Sequence, residues 1–506
     1  MPQHFTAEGR WLELSGARQP FISRCELYAS YTLPKICPPE GYDQNTHELS
    51  HDFQAVGAQS VNHLANKIML ASFAPSRPFF RADPNDATSK EMLKAGVSEA
   101  TVALALAQIE KGAVRKLDQL AMRPKLYEVI KHLIITGNVL LFLDKDEPRV
   151  MGIKKYCVRR SASGKIVEIL IGDRVRVDEL SEAVRRAIKE KRPETEVNHY
   201  RWIRRDANGD YRMEQWVDSE KLPANFNGKW PEDRMPYRVL TWDLSDGADY
   251  GTGLVEDYRP DFAALSALSR AQVIGAVLAS EFRWLVNPAG LTKPEDLAQS
   301  ENGSALPGQD GDITLVQSGK SQDLQTTLQI GSEYVNRIGR GFLLGGQLIR
   351  NAERVTAEEI RLLANELETA LGGAYSRLAV DIQLPMARWL IAQLDDTVNQ
   401  NIEPTVVTGL DALSRSGDLE ELKALFADLG ALATLPEGLL RRIKFDEVMK
   451  IFAATRRIDV TKLLKSEQEV AQEVEQERQA LMEQQAAEGA INASVQNAAQ
   501  TQGQPE

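Results

Sequence analysis

The amino-acid sequence predicts an α+β protein that is mainly helical and is divided into several modules. Apolar residues recur at helical spacing over residues 50–143 and again after residue 251, whereas short strands alternate with turn signals over residues 144–242. A chain of 506 residues with 43% hydrophobic content is long enough for roughly two to four packed domains. We therefore expect helical modules on both sides of a β-rich region.

The first helical region contains two amphipathic segments. The stretch "VNHLANKIMLASF" keeps helical spacing until Pro75, and "SEATVALALAQIEKGAVRKL" places apolar residues along one face of a helix. The residues of that second face are Val102, Leu106, Ile109, Ala113 and Leu117. Both segments are predicted to be helices that pack against other elements.

The β-rich region begins at "TGNVLLFLDKD" and contains two predicted hairpins. The first turns at "SASGK", residues 161–165. The second lies in "RRDANGDYRMEQWV", where Asn208 and Gly209 suit the positive φ values of a tight type I′ turn. A charged surface helix, "DELSEAVRRAIKEKRPETE", is predicted between them and ends at Pro193. These elements predict a small antiparallel sheet.

The middle of the chain predicts a helix, an insert and a second helix. "DFAALSALSRAQVIGAVLAS" is rich in alanine, and small side chains let neighbouring helices approach closely. "NPAGLTKPEDLAQSENGSALPGQDGD" is loaded with Pro, Gly, Asn and Asp, which is typical of a compact inserted module or long loop. "SQDLQTTLQIGSEYVNRIGRGFLL" then returns to helical spacing.

A long, kinked helix is predicted after a polar loop. The loop "GGQLIRNAER" opens with two glycines and is expected to be mobile. Thr356 and Glu359 match a capping box that starts the helix, and Pro385 should kink it because proline lacks a backbone N–H. Further helices are expected to Lys465, and the Gln/Glu-rich tail after it is predicted to be partly disordered.

Composition limits the classes of function. The net charge of −12 argues against a tight, sequence-independent nucleic-acid binder, although transient contact with DNA stays compatible with it. The three cysteines are far apart and predict reduced, buried thiols of a cytosolic protein. The N-terminus lacks a signal-peptide pattern, and nowhere do eighteen apolar residues run together. The chain is therefore predicted to be neither secreted nor membrane-spanning.

Three motifs come close to catalytic or nucleotide-binding patterns. "HELSH", from His47 to His51, fits the zinc motif HExxH, but polar turn residues precede it and no third ligand stands out. "QSGKS", residues 317–321, has Thr314 where a phosphate-binding loop needs its first glycine. "GRGFLLGG", residues 339–346, fails the GxGxxG spacing. We predict a solvated loop at HELSH, no metal, no cofactor and no enzymatic activity.

Several sequence blocks resemble the head-to-tail connector, or portal, proteins of short-tailed phages. The resemblance runs from about residue 10 to 465, and the block around "ERVTAEEIR" is the most specific. In order along the chain, the blocks are "AVGAQSVNHLANKIMLASFAP", "TGNVLLFL", "DYGTGLVEDY", "LVNPAGLTKPEDL", "ERVTAEEIRLLANELETALGGAYSRL" with "IQLP", and "IEPTVVTGLDALSR". One departure is Pro260 in "YRPDF", which falls where the first stem helix should run unbroken, so that helix is expected to start at Pro260.

The resemblance implies a portal fold of wing, stem, clip and crown that assembles into a ring with a central tunnel. The implied modules are the wing (1–250), the first stem helix (251–286), the clip (287–320), the second stem helix (321–344), the tunnel loop (345–355), a long kinked wing helix with the strand after it (356–407), the helical crown (408–465) and the Gln/Glu-rich tail (466–506).

The resemblance also implies the partners. They are other copies of the chain, in a ring of about twelve, double-stranded DNA in the tunnel, the terminase large subunit, tail adaptor proteins, and capsid and scaffolding proteins. No membrane is implied, because the ring would be assembled in the host cytoplasm and would sit at one capsid vertex of the virion. A non-portal helical scaffold or internal head protein and a zinc hydrolase acting through HELSH are the alternative functions.

Arginines near the narrowest part of the tunnel are the predicted DNA contacts. Arg350 and Arg354 lie on the implied tunnel loop, and Arg337 and Arg340 lie on the adjoining helix as second choices. Their guanidinium groups could contact phosphates of the passing duplex. An equally open interpretation is that these arginines form ion pairs between subunits.

Overall fold

The fold was analysed in a computed structural model of the chain. It describes residues 6–406, apart from 75–77, 86–87, 89, 91–93, 95–98, 146, 189–191, 281–282, 302, 317–320, 345–356 and 395–401. The chain divides into two units, Met1–Ala412 and Leu413–Glu506. The predicted tunnel loop, the Thr356 cap, the crown, the tail and residues 317–320 of the QSGKS motif therefore lie outside the described residues.

The N-terminal part of the chain is helical. Its long helices are α1 (Ala7–Ala17), α2 (Gln19–Tyr31), α3 (Val56–Ser72), α4 (Glu99–Gln119) and α5 (Met122–Thr136). Thr6 caps the first of them, because its Oγ1 accepts the Gly9 backbone N–H at 3.2 Å. Helix α3 buries Val61, Leu64 and Ile68 on one face. The two predicted amphipathic helices are confirmed as α3 and α4.

Among the described residues, the strands form four antiparallel sheets. Their bounds are β1 (Phe80–Pro84), β2 (Asn138–Phe142), β3 (Arg149–Gly152), β4 (Tyr156–Arg160), β5 (Ile166–Arg176), β6 (Glu196–Arg205), β7 (Tyr211–Val217), β8 (Glu220–Lys221), β9 (Gly228–Trp230), β10 (Tyr237–Thr241), β11 (Arg283–Val286), β12 (Ile313–Val316) and β13 (Ile402–Val406). The largest sheet contains the six strands β4 to β9, and a three-stranded sheet has the order β10-β2-β3. β1 pairs with β13, and β11 pairs with β12. Both predicted hairpins are present, as the pairs β4–β5 and β6–β7.

The turn of the second hairpin differs from the prediction. The connection spans residues 206–210, and only Gly209 takes a positive φ, of 92°. The Asp206 carboxylate accepts the backbone N–H groups of Asn208 at 3.0 Å and of Asp210 at 3.1 Å. The expectation of a type I′ turn with positive φ at both central residues was wrong, because an aspartate before the turn organises a longer loop.

The charged helix between the hairpins is shorter than expected. Helix α6 covers Glu182–Ala187 and ends well before Pro193. Ile188 is extended, with φ −89° and ψ 104°, and it is buried in a small separate core with Val184 and Val197. The predicted stop at Pro193 was therefore wrong, because the extended backbone of Ile188 ends the helix first.

A buried asparagine joins two of the quoted sequence blocks. The Asn138 amide donates to the Gly251 carbonyl oxygen at 2.6 Å, and its own side-chain oxygen accepts the Gly251 N–H at 2.8 Å. A Cβ atom at Gly253 would lie 2.7 Å from the Ile134 carbonyl oxygen. The glycines of "DYGTGL" thus allow this segment to lie directly against the end of α5 and the start of β2.

The middle of the chain confirms the plan of helix, insert and helix. After the short helix α7 (Leu254–Asp257), helix α8 covers Arg259–Ser280 and begins one residue before the expected Pro260. The insert contains β11, the short helix α9 (Pro294–Gln299) and β12, and helix α10 (Ser321–Gly341) follows. The segment 251–286, implied as the first stem helix, therefore also contains strand β11.

The long helix near the end of the described chain has two interruptions. Helices α11 (Ala357–Leu371) and α12 (Gly373–Leu378) are separated at Gly372, which has a φ of 51°. A π-helical turn (Ala379–Gln383) then precedes α13 (Leu384–Leu394). The helix is thus disturbed next to Pro385, as predicted, and the disturbance is the π turn just before the proline. The break at Gly372 was not predicted. The strand expected after this helix is β13.

Candidate functional site

Helices α8 and α10, called the helix pair below, lie side by side and antiparallel. Arg337 of α10 contacts Asp261 near the start of α8, whereas Leu324 near the start of α10 faces Gly275 near the end of α8. A Cβ atom at Gly275 would lie 2.8 Å from Leu324 Cδ2, so a larger residue there would displace the end of the Leu324 side chain. The chain reverses between the two helices through the insert, which therefore lies at the distal end of the pair.

The base of the helix pair is part of the main hydrophobic core. Phe262, Ile338 and Phe342 are completely buried. The Phe342 ring packs edge-on against Tyr258 and Phe262, with ring centroids 5.4 Å and 5.7 Å apart. The subunit's own core therefore holds the pair in place at this end.

The distal half of the helix pair exposes a set of large apolar side chains. They are Val273, Ile274, Val277, Leu278, Leu328 and Ile330, each between 40% and 56% exposed. Val273 and Val277 are one helical turn apart on one flank of α8, and Ile274 and Leu278 lie on the adjacent flank. Large apolar side chains exposed in this number on one half of a helix pair indicate contact with another protein or with a membrane.

Length and composition alone would let helix α8 cross a membrane. The window Arg259–Leu278 covers 20 residues with a mean hydropathy of 1.3, and it is the single such window in the part of the chain that the structure describes. Arg270 lies near its middle, and a charged side chain at a bilayer centre costs about 2.5–3.5 kcal/mol. Phe262 and Leu265 are already buried in the protein core. These features favour contact with another protein over insertion in lipid.

The insert is organised around one carboxylate. Asp312 is buried, and its Oδ2 accepts the backbone N–H groups of Gln309 at 2.9 Å and of Leu291 at 3.1 Å. The Gln309 N–H holds the pKa of Asp312 below its ordinary value. A Cβ atom at Gly290 would lie 2.3 Å from Asp312 Oδ1, so this glycine leaves room for the carboxylate. The sequence indicated only turns here, and the role of Asp312 was missed.

The outer surface of the insert continues the apolar character of the helix pair. Trp284, Leu285 and Leu291 are 50%, 59% and 63% exposed. Trp284 and Leu285 belong to β11, whose pairing with β12 fixes the backbone that carries them. Trp284 and Leu285 therefore stand on a hydrogen-bonded pair of strands, which makes the insert a second candidate contact surface.

Of the four arginines predicted to contact DNA, two belong to the described residues and two do not. Arg350 and Arg354 lie outside the described residues. Arg337 forms an ion pair with Asp261 of the same chain, with Nη1 3.3 Å from Oδ1, and its guanidinium lies 4.7 Å from the centre of the Tyr334 ring. Arg340 is exposed in the last turn of α10 and forms no ion pair with any described residue. Asp261, the partner of Arg337, was not identified from the sequence.

A histidine of α3 contacts the backbone just after α10. His63 Nε2 lies 3.0 Å from the Leu343 carbonyl oxygen, and Leu343 has a positive φ of 58°. Burial lowers the pKa of His63, which favours the neutral ring at neutral pH. This contact fixes the end of the helix pair against α3 where the chain enters residues 345–356.

HELSH lacks the helix that its zinc-binding motif requires. Residues 47–51 are not helical, and His47 and His51 are both exposed, as expected for a solvated loop. Within the described ranges, no group of three or more His, Cys, Asp or Glu side chains could hold a metal ion. Gly339 and Gly341 of the glycine-rich motif belong to the last turn of α10 and not to a phosphate-binding loop.

Three comparisons with known proteins bear on the family. A family model described as bacteriophage head to tail connecting protein matches residues 5–461. The chain is 31% identical to the portal protein of Enterobacteria phage SP6, over 96% of this chain and 94% of the relative. It is 33% identical to the portal protein of Pseudomonas phage phiKMV, over 91% of this chain and 92% of the relative.

Among solved structures, a chain from the neck of an empty gene transfer agent (GTA) particle is similar at a TM-score of 0.38 and 13% identity, covering 77% of this chain and 89% of that one. This similarity is too low to add to the assignment. The sequence matches confirm the family predicted from the sequence blocks, and they exclude the internal head scaffold and the zinc hydrolase. The chain belongs to the bacteriophage head to tail connecting proteins, the portal family, whose members are structural, non-enzymatic components of the capsid vertex in the virion.

Proposed function

We propose that about twelve copies of the chain form a ring whose tunnel is lined by the helix pair and passes double-stranded DNA during packaging and later during ejection. The observation that carries this proposal is the contrast within the helix pair. Its base is buried in the subunit, while both flanks of its distal half expose apolar side chains. A subunit with such exposed apolar side chains on both helices of the pair is suited to contact neighbouring copies, as a closed ring requires.

The dimensions of helices support a tunnel of the necessary width. Twelve helices, each about 10 Å across and set side by side, give a circumference of about 120 Å and leave a bore of about 28 Å. A DNA duplex passes through such a bore with clearance. One helix of each pair facing the tunnel is therefore sufficient for a conduit.

The charge of the chain supports sliding of DNA over tight binding. Each copy carries a net charge of −12, so a ring of about twelve carries about −144. Phosphates are repelled by such a ring as a whole, and contact with DNA is then limited to local groups of arginines. Weak local contact suits a protein through which DNA must move.

The modules supply surfaces for the other partners. We assign residues 1–250 to the wing, which would contact capsid and scaffolding proteins, and residues 408–465 to the crown inside the head. The insert, residues 287–320 with β11 beside it, would be the clip. Its exposed side chains of Trp284, Leu285 and Leu291 suit contact with the terminase large subunit and later with tail adaptor proteins.

We assign the DNA contacts to arginines at the base of the helix pair and in the loop that follows it in the sequence. Arg350 and Arg354 stay the first choices because of their place on the tunnel loop. Arg340 ranks above Arg337, because Arg340 is exposed without an ion pair among the described residues, whereas Asp261 partly offsets the charge of Arg337. An unpaired guanidinium is the better donor to a passing phosphate.

The double variant Arg350→Ala with Arg354→Ala tests this assignment. We expect rings of normal shape under negative stain, and less DNA packaged or retained per head, because two phosphate contacts per subunit are lost. The matched control is Arg185→Ala with Arg186→Ala, which removes the same charge from the exposed surface of α6. Unchanged packaging would exclude these arginines from DNA handling.

The ring itself is tested by the mass of the assembled particle. Light scattering should give about twelve times the subunit mass of 56.3 kDa. A monomer under conditions in which heads assemble would contradict the proposed ring.

A further inference from the structure

A pair of adjoining cavities lies between strand β10 and helix α13, away from the helix pair. Their volumes are about 450 Å³ and about 350 Å³. Met235, Arg238, Pro385 and Arg388 line both of them, so the two spaces share a wall. Neither cavity has a role in the proposed tunnel, clip or subunit contacts.

The larger cavity has an excess of positive charge. Among the described residues that line it are five cationic side chains and two carboxylates. The cations are Arg160, Lys165, Arg238, Arg377 and Arg388, and the carboxylates are Glu232 and Asp381. Glu232 already pairs with Arg205 at 2.7 Å. Asp381 is therefore the main negative charge of the larger cavity, and the smaller cavity adds Arg234 with the carboxylates Asp233 and Glu403.

Three buried hydrogen-bond donors at the cavities have no acceptor among the described residues. They are Arg160 Nη2, Arg238 Nε and Trp389 Nε1. The Arg160 side chain is held by other bonds, because its Nε donates to the Asp249 carbonyl at 3.2 Å and its Nη1 to the Gly164 carbonyl at 3.1 Å. Buried donors are nearly always paired in folded proteins. The Arg160 donor is thus fixed in place and lacks an acceptor within the described part of the chain.

The wall opposite β10 has an unusual backbone. The π-helical turn Ala379–Gln383 contributes Val380 and Asp381 to the lining of the larger cavity, and Leu384 and Pro385 follow directly. π turns inside α-helices often mark functional sites. Here the turn brings Asp381 among the arginines, and burial raises the pKa of its carboxyl group.

We propose that the two cavities form a binding site for a free phosphate-type oxyanion, held by Arg160, Arg238 and Arg388. Guanidinium groups match the oxygen geometry of phosphate and can donate two parallel hydrogen bonds to it. A doubly charged anion offsets the excess of cations, and its oxygens accept from several donors at once. The cavity volume is large enough for a tetrahedral anion with water around it. A single carboxylate side chain would not fill this volume.

Binding of inorganic phosphate to the assembled protein tests the site. Equilibrium dialysis with labelled phosphate, at an ionic strength kept constant with sodium chloride, should show saturable binding of about one phosphate per subunit. Arg388→Gln should weaken this affinity about tenfold, as expected for one charge-assisted hydrogen bond. Arg388 is exposed at the rim, so its replacement leaves the buried packing intact.

The matched control is Arg159→Gln, which removes an exposed charge next to Arg160 but outside the lining. It should leave phosphate affinity unchanged. Absence of saturable binding, or an equal loss in both variants, would overturn the proposal. Binding by unassembled subunits that disappears in the ring would also overturn it, because a neighbouring copy's carboxylate would then occupy the site. Ring formation in negative stain is read separately, so failure here is distinguishable from failure of the proposed conduit.

Discussion

The two ends of the helix pair differ in what covers their apolar side chains. At the base, Phe262 and Phe342 are completely buried by the subunit's own core, whereas at the distal end Val273 and Leu328 are 50% and 56% exposed. Both ends belong to the same two helices. Apolar spacing therefore shows that a helix packs, but it does not show whether the partner is the same chain or another copy.

This contrast separates two sources of stability. The base contributes to folding of a single subunit, because its aromatic side chains leave water when the chain folds. The distal half gains comparable burial only when neighbouring subunits cover it. Changes at the base should therefore affect folding, and changes at the distal end should affect assembly.

The largest effect is expected for Phe342→Ala at the base of the pair. Removal of a fully buried phenylalanine costs about 3–5 kcal/mol, because transfer free energy is lost and a cavity remains. The free energy of unfolding of the unassembled subunit, measured with urea, should fall by this amount. Leu328→Ala, at an exposed apolar position in α10, should change it by less than about 0.5 kcal/mol. Equal losses in both variants would contradict the difference between the two ends.

The second largest effect is expected for the double variant Val273→Asp with Ile274→Asp, which should no longer assemble. The two substitutions place charges on adjacent apolar flanks of α8, where a neighbour would have to bury them. Light scattering should show monomers, while circular dichroism and the urea midpoint of the subunit stay close to those of the original chain.

Gln329→Asp is the control for added charge, because Gln329 is already polar and exposed on α10. It should leave the rings intact. Rings formed by the double variant would show that the distal flanks of α8 are not subunit contacts.

Local patterns in the sequence were sufficient to predict the order of elements. The spacing in α3 and α4, the two hairpins, and the change from helix to insert to helix all depend on neighbours along the chain. Pro385 also gave a correct signal, because the missing N–H disturbs a helix in any context. The fold class and the family could therefore be predicted without coordinates.

Features that depend on distant residues were not predicted. Helix α6 ends at Ile188, whose side chain is buried in a core with Val197 of strand β6. Arg337 was proposed as a DNA contact without knowledge of Asp261 on the other helix. The unpaired donors of Arg160 and Arg238 come from separate strands and meet only in the folded chain. A periodic pattern carries no information about such contacts.

The smallest effect is expected in the insert, which depends on hydrogen bonds to Asp312 in place of a hydrophobic core. Backbone N–H groups lower the pKa of Asp312 in the folded insert. The stabilisation is therefore fully present above the ordinary aspartate pKa of about 3.9, and it is lost as pH falls through the lower folded value. Asp312→Asn should loosen the insert at neutral pH.

Hydrogen exchange at the Leu291 and Gln309 amides measures this change directly, because both N–H groups donate to Asp312. At pH 7 they should exchange faster in Asp312→Asn than in the original chain, whereas Asp310→Asn, at an exposed neighbour, should have no effect. The difference between the two chains should shrink in acid, once the carboxyl group of Asp312 is protonated. A difference that stays constant below the folded pKa would show that side-chain shape, and not the charge of Asp312, organises the insert.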